Sequence, residues 1–135
     1  MIELRKKKAE RTQVASNLPE YGIRVNLNNN YVAVTRGLFD GLNLSNNYLG
    51  VGCDRENDKY YICLSDEKTG FKPNAKTLAF TNKKLVEDWK VWYSVGADAT
   101  TLYFKVNFES PITQDNITYY QSELIKTEVK QLELV

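Results

Sequence analysis

The chain contains no histidine, and it has only two cysteines, three prolines and one methionine among its 135 residues. The missing imidazole removes the commonest general acid or base and the commonest neutral metal ligand, which excludes most hydrolase schemes. Two thiols, Cys53 and Cys63, are too few for a secreted disulfide framework, and without histidine or more cysteines they cannot complete a zinc site. Both read as reduced. An excess of one charge is lacking too: 18 Lys and Arg against 17 Asp and Glu leave a formal +1. The whole-molecule field therefore argues for neither nucleic acid, membrane nor acidic substrate. No apolar stretch follows the basic start Met1-Ile-Glu-Leu-Arg-Lys-Lys-Lys-Ala-Glu-Arg, which reads as neither signal peptide nor membrane span and places the protein in a cytoplasm.

What is present suits one globular domain. Apolar residues make up 42% and charged residues 26%, far from the composition of disorder. A chain of this length can bury roughly two-thirds of the surface its unfolded form exposes, enough for a single core. Residues 1–20 differ from the rest: five basic residues against one acidic lie between Arg5 and Arg11, followed by a polar, proline-containing stretch without helical or strand period. They read as an extended basic arm. Residues 21–125 read as the domain, and 126–135, in which Val129 alternates with charges, as a tail or edge strand.

Within the domain, Ile23, Val25 and Leu27 alternate with polar residues as a strand, and the asparagines 28–30 suit a turn before the next strand at 31–34. Thr35 can cap a short helix over 36–42 with Leu38, Phe39 and Leu42 on one face, ending in Asn43. A second helix over 83–95 follows from Leu85, Trp89 and Trp92 at i, i+4, i+7, capped by Thr81 or Asn82 and stopped by Gly96. Leu102, Phe104, Val106 and Phe108 form a strict period-two strand, and a turn containing Asp115-Asn116 leads to another over 117–124. The fold class is α+β: a small antiparallel, barrel-like sheet with two short helices.

The hairpin over residues 49–64 has one register that makes a face wholly apolar. With a four-residue loop at 55–58, Cys53 opposes Tyr60, Val51 opposes Ile62 and Leu49 opposes Leu64. Gly50, Gly52, Tyr61 and Cys63 then share the other face, so the two thiols point apart and cannot bond. Cys53 reads as a small core hydrophobe.

Catalytic and ligand-binding signatures are sparse. No nucleophile-elbow or Ser-x-x-Lys spacing occurs, and Asp54, Glu56 and Asp58 lack the central glycine and distal glutamate of a calcium loop. Gly50-Val-Gly-Cys leads into a hairpin, not a helix N-terminus, so it cannot cradle phosphate. The residues read as a non-enzyme with no cofactor and no metal site. Nine tyrosines, five phenylalanines and two tryptophans could be imagined as a stacking platform for single strands. Trp89, Trp92, Phe104 and Phe108 fall at core spacing instead. Tyr31, Tyr61, Tyr103 and Tyr120 remain candidates for partner contact, since tyrosine is enriched at interfaces. Arg5, Lys6, Lys7, Lys8 and Arg11 suit phosphate, an acidic protein surface or plain solvation.

Two resemblances sharpen this. Residues 23–64, with Val32-Ala-Val-Thr-Arg-Gly-Leu-Phe-Asp-Gly-Leu-Asn-Leu, resemble the strand, short helix and Leu-x-Leu turn of AbrB/MazE-like swapped-hairpin transcription regulators. Where that family starts its helix with Ile-Pro, this chain has Val34-Thr35, and the family's close arginines are reduced to Arg24. The string from Tyr31, through Asp-Arg-Glu-Asn-Asp-Lys-Tyr-Tyr-Ile, Thr-Gly-Phe and Leu-Ala-Phe-Thr-Asn, resembles small proteins of Bacteroides-infecting crAss-like tailed phages, and the likeness covers most of residues 23–125. That second resemblance implies a virion structural protein assembled in the bacterial host cytoplasm. The expectation is an auxiliary or cement component bound to the major capsid protein, with further copies of itself as a second candidate partner. Arm and tail would extend onto neighbouring subunits, with Arg5, Lys6, Lys7, Lys8, Arg11, Tyr61 and Tyr103 as partner-binding residues. The first resemblance implies the alternative, a DNA-binding regulator using the same arm plus Arg24 and Arg36.

Overall fold

Alternating apolar residues, asparagine-rich turns and two capped helices assemble into one antiparallel sheet, described in a computed structural model over residues 18–130. The strands are β1 (Gly22–Asn26), β2 (Tyr31–Val34), β3 (Tyr48–Asp54), β4 (Lys59–Ser65), β5 (Ala79–Thr81), β6 (Ala99–Val106), β7 (Ile112–Gln114) and β8 (Ile117–Val129), with helices α1 (Arg36–Gly41) and α2 (Lys83–Trp92). Their order across the sheet is β3-β4-β8-β6-β1-β2-β5, with β7 paired to β8. The sheet curls into a half-barrel, and the domain is a small α+β fold. The arm expected over residues 1–20 falls almost wholly outside the described residues.

The concave, inner face holds the core. Ile23, Val25, Val32, Leu49, Ile62, Leu102, Phe104 and Val106 come from five strands and are covered by Leu38 and Phe39 of α1 and Leu85, Val86 and Trp89 of α2. The Trp89 ring lies 5.4 Å from that of Phe104. Local chemistry places the helices. Thr35 accepts from the Leu38 N–H to cap α1, and the Asn82 side chain accepts from the Leu85 N–H to cap α2. Turns use left-handed residues where asparagine and aspartate tolerate them: Asn30, Asn43, Asp58, Asp115 and Asn116 all have positive φ.

Two expectations change. α2 ends at Trp92, three residues before the predicted end at Val95, and the left-handed position is Ser94 (φ 51°), not Gly96. Beyond it the Val95 N–H bonds the Lys90 carbonyl at 2.9 Å, closing a Schellman-type end. Val95 packs against the core, and this apolar anchor, rather than the glycine, decides where the helix stops. Residues 126–129, read from sequence as tail or edge, continue β8 without a break. They pair with β6 at Tyr103↔Lys126, Leu102↔Thr127, Thr101↔Glu128 and Ala99↔Val129. Their far side has no strand partner among the described residues.

Tyr93 closes the inner face beside α2, its ring 4.6 Å from Tyr60 and 5.1 Å from Phe104. Burial pushes its phenol from 10.0 up to about 12. A group whose folded pKa exceeds its unfolded value contributes stability that is complete below pH 10 and lost as pH rises toward 12. Because Tyr93 is only partly buried, solvent screening reduces the effect to on the order of 1–2 kcal/mol. Urea midpoints are therefore expected to fall between pH 10 and 12, and less steeply in Tyr93→Phe. Parallel curves for the two proteins would refute this.

Candidate functional site: the glycine-floored outer groove

On its convex, outer face the sheet carries a groove built by β3, β4, β7 and β8. The β3–β4 register aligns Gly52 with Tyr61 and Gly50 with Cys63, and the β4–β8 register places Tyr119 beside Cys63. Ile112 of β7 opposes Tyr119. The result is a cavity of about 580 Å³ lined by Gly52, Tyr61, Tyr119, Ile112, Gln114 and the hairpin tip from Cys53 to Glu56. A second hollow of about 300 Å³ continues past Tyr119 to Gly50, Cys63, Ser65, Thr69 and Ile117.

Glycine makes this surface hollow. A Cβ at Gly50 would stand 2.7 Å from Cys63 Sγ, and one at Gly52 would stand 3.3 Å from the Tyr119 ring. With no side chains there, the thiol and the ring settle against bare backbone. The Tyr61 and Tyr119 rings meet edge to face, centroids 6.1 Å apart, an arrangement favoured by their quadrupoles. Ile112 and Ile117 stand exposed beside them.

The rim is polar and fixed. The Asn57 side-chain amide donates to Asp54 Oδ2 at 2.8 Å and the Asn57 N–H to Asp54 Oδ1 at 3.4 Å. These bonds hold the Asp54 carboxyl below its ordinary value, so it stays ionised beside Arg55 and Glu56. At the other end, Asp66 accepts from the Lys68 and Thr69 N–H groups and the Thr69 hydroxyl, which likewise depresses its pKa. Charges of both signs around an apolar, aromatic floor form a surface suited to protein contact. Among the described residues no group of three or more Asp, Glu or Cys is placed to hold a metal ion, and no helix is long and apolar enough to cross a membrane.

Of the residues read from sequence as partner-binding, Tyr61 lies on the groove floor. Tyr103 does not join it. Its side chain is on the outer face of β6, only 8% exposed. Its hydroxyl bonds Glu128, and Lys126 Nζ lies 5.5 Å from its ring centre. The chain's own β8 thus covers the surface a partner would need. Arg5, Lys6, Lys7, Lys8 and Arg11 lie outside the described residues. Tyr120 points inward against Phe108, 4.5 Å away. For the regulator alternative, Arg24 is exposed on β1, while Arg36 sits 3.9 Å from Asp40 and over the Phe39 ring. β1 and β2 find their outer partners in the chain's own β6 and β5, so the hairpin that a swapped dimer exchanges is closed within one chain.

Cys53 and Cys63 exchange roles relative to expectation: Cys53 is exposed and Cys63 buried. The register is as predicted, but the inner cover at this end comes from Trp92 and Tyr93 packed on Tyr60 and does not extend to Cys53 on edge strand β3. Cys63 is enclosed between Gly50 and Tyr119, and burial pushes its thiol pKa up. The residues missed from sequence, Tyr119, Ile112 and Ile117, reach the groove through the pairing of β8 with β4 and β7, which no local period announces.

Compared with models of known families, with curated proteins and with solved structures, the chain has no match in any of the three.

Proposed function

We propose that the chain is a non-enzymatic protein-binding component of a phage virion, an auxiliary or cement protein seated on the major capsid protein. The observation that supports binding is the outer groove: two tyrosines and two exposed isoleucines over a glycine floor, on a rigid sheet, ringed by Asp54, Arg55 and Glu56. The carboxylates on its rim disfavour a polyanion there, while aromatic anchors in a concave patch are what protein interfaces concentrate. The virion setting rests on the sequence resemblance and on the basic segment Arg5–Arg11, which would pair with acidic shell surface. Two attachment points would raise avidity above that of either alone.

The test is cosedimentation with purified heads of the cognate phage. The protein is expected to pellet with heads, and Tyr61→Ala or Tyr119→Ala to weaken binding by about 10- to 100-fold with the far-ultraviolet circular dichroism unchanged. Protein left in the supernatant would sink the virion reading. Full binding by the double alanine variant would sink the groove.

A further inference from the structure

Strand β8 is longer than the sheet that contains it. β4 accompanies it only from Tyr119 to Ser122, whereas β6 follows it to Val129. From Glu123 onward one side of β8 is an open edge among the described residues, and no backbone hydrogen bond from a loop closes it. Natural sheets protect such edges, because unpaired N–H and C=O groups template another strand. This edge also carries apolar side chains: Ile125 is 46% and Val129 51% exposed.

We propose that residues 125–129 of β8 pair, antiparallel and about a two-fold axis at Thr127, with the same residues of a second copy of this chain. The sequence Ile-Lys-Thr-Glu-Val is self-complementary in that register alone. Ile125 opposes Val129 twice, Lys126 opposes Glu128 twice, and Thr127 opposes itself, all three being favourable cross-strand pairs. Centring the axis on residue 126 sets lysine against lysine, and centring it on 128 sets glutamate against glutamate. A half-step between positions places Ile125 against Glu128. The faces agree as well. Lys126 and Glu128 already lie together on the outer face, both in contact with Tyr103, and Thr127 and Val129, alternating with them, lie on the other side. A bulge makes Ile125 the extra residue between Phe104↔Leu124 and Tyr103↔Lys126, and the β3–β4 hairpin meets β8 no later than Ser122. The window for a second strand is therefore open.

A five-residue ribbon buries less than the roughly 800 Å² per partner of a standard interface, so the free protein dimerises weakly, with Kd on the order of 0.1 mM. The inference does not depend on the groove: it concerns the opposite end of β8 and a different partner.

Sedimentation of the full chain from about 10 μM to 1 mM is expected to show a reversible monomer–dimer transition. Lys126→Glu and Glu128→Lys, each creating two like-charge pairs, should weaken it at least about fivefold, and the double swap should restore it. In a Cys53→Ser background, Thr127→Cys should oxidise to a covalent dimer, because residue 127 meets itself. Val129→Cys alone should not, whereas Ile125→Cys with Val129→Cys should. A monomer throughout the concentration range, failure of the swap to rescue, or equal cross-linking at 127 and 129 would each overturn the pairing.

Discussion

Replacing Trp89 by alanine is expected to lower the unfolding free energy by about 3–5 kcal/mol, the range for emptying a buried aromatic site. Trp89 is among the largest fully buried side chains, and it is the point at which α2 meets the sheet: its ring lies against Phe104, itself in contact with Tyr93. The cavity cannot collapse easily, because both ends of α2 are fixed, by the Asn82 cap and by the Val95 N–H bonded to the Lys90 carbonyl. Domains of this size hold about 5–15 kcal/mol in total, so the loss takes a large share of it. The thermal midpoint should fall by about 10–20 °C. Urea unfolding with fluorescence from the remaining Trp92, which stacks 5.2 Å from Tyr60, reads the change directly. A cost below about 1.5 kcal/mol would mean that α2 is not anchored through Trp89.

How much of this was readable in the sequence depends on whether the decisive contact is local. The β3–β4 hairpin register was legible residue for residue, since only one pairing makes Leu49, Val51, Tyr60 and Ile62 share a face. The cap at Thr35, the choice of Thr81 or Asn82 for the second cap, and the turn at Asp115-Asn116 were legible too, because each is set by chemistry within a few residues. The far end of β8 was not. Ile125 is an extra residue against β6, so the alternation changes phase there and the four residues beyond it read as a separate tail. The groove failed for a related reason. Tyr61 was visible on the glycine face of its hairpin, but Tyr119 joins it only through a strand nearly sixty residues later. Tyr103 misled because its period-two position is indeed on the outer face, yet the same β8 that builds the groove also covers it.

Gly37→Ala carries an expected effect opposite in sign to the helix rule. Alanine in place of glycine inside a helix ordinarily stabilises by about 1 kcal/mol, partly by restricting the unfolded chain. At Gly37, the second residue of α1, an added Cβ would lie 2.4 Å from the Glu20 carbonyl oxygen. That oxygen is not free to move. It accepts from the Thr35 hydroxyl at 2.6 Å, and Thr35 Oγ1 in turn accepts from the Gly22 N–H at 3.0 Å and the Leu38 N–H at 3.3 Å. One hydroxyl thus ties the entry to β1, the cap of α1 and the Glu20 backbone together, and the methyl group must displace all three. The expected outcome is a loss of about 1–3 kcal/mol, the cost of overpacking a tight site, measured by urea unfolding. Because the clash acts through the Thr35 link, Thr35→Ala and Gly37→Ala together should cost less than the sum of the two alone, a coupling of about 0.5 kcal/mol or more. Additive losses would mean that the methyl group is accommodated elsewhere, and a stabilised Gly37→Ala would remove the Glu20 carbonyl from its place against α1.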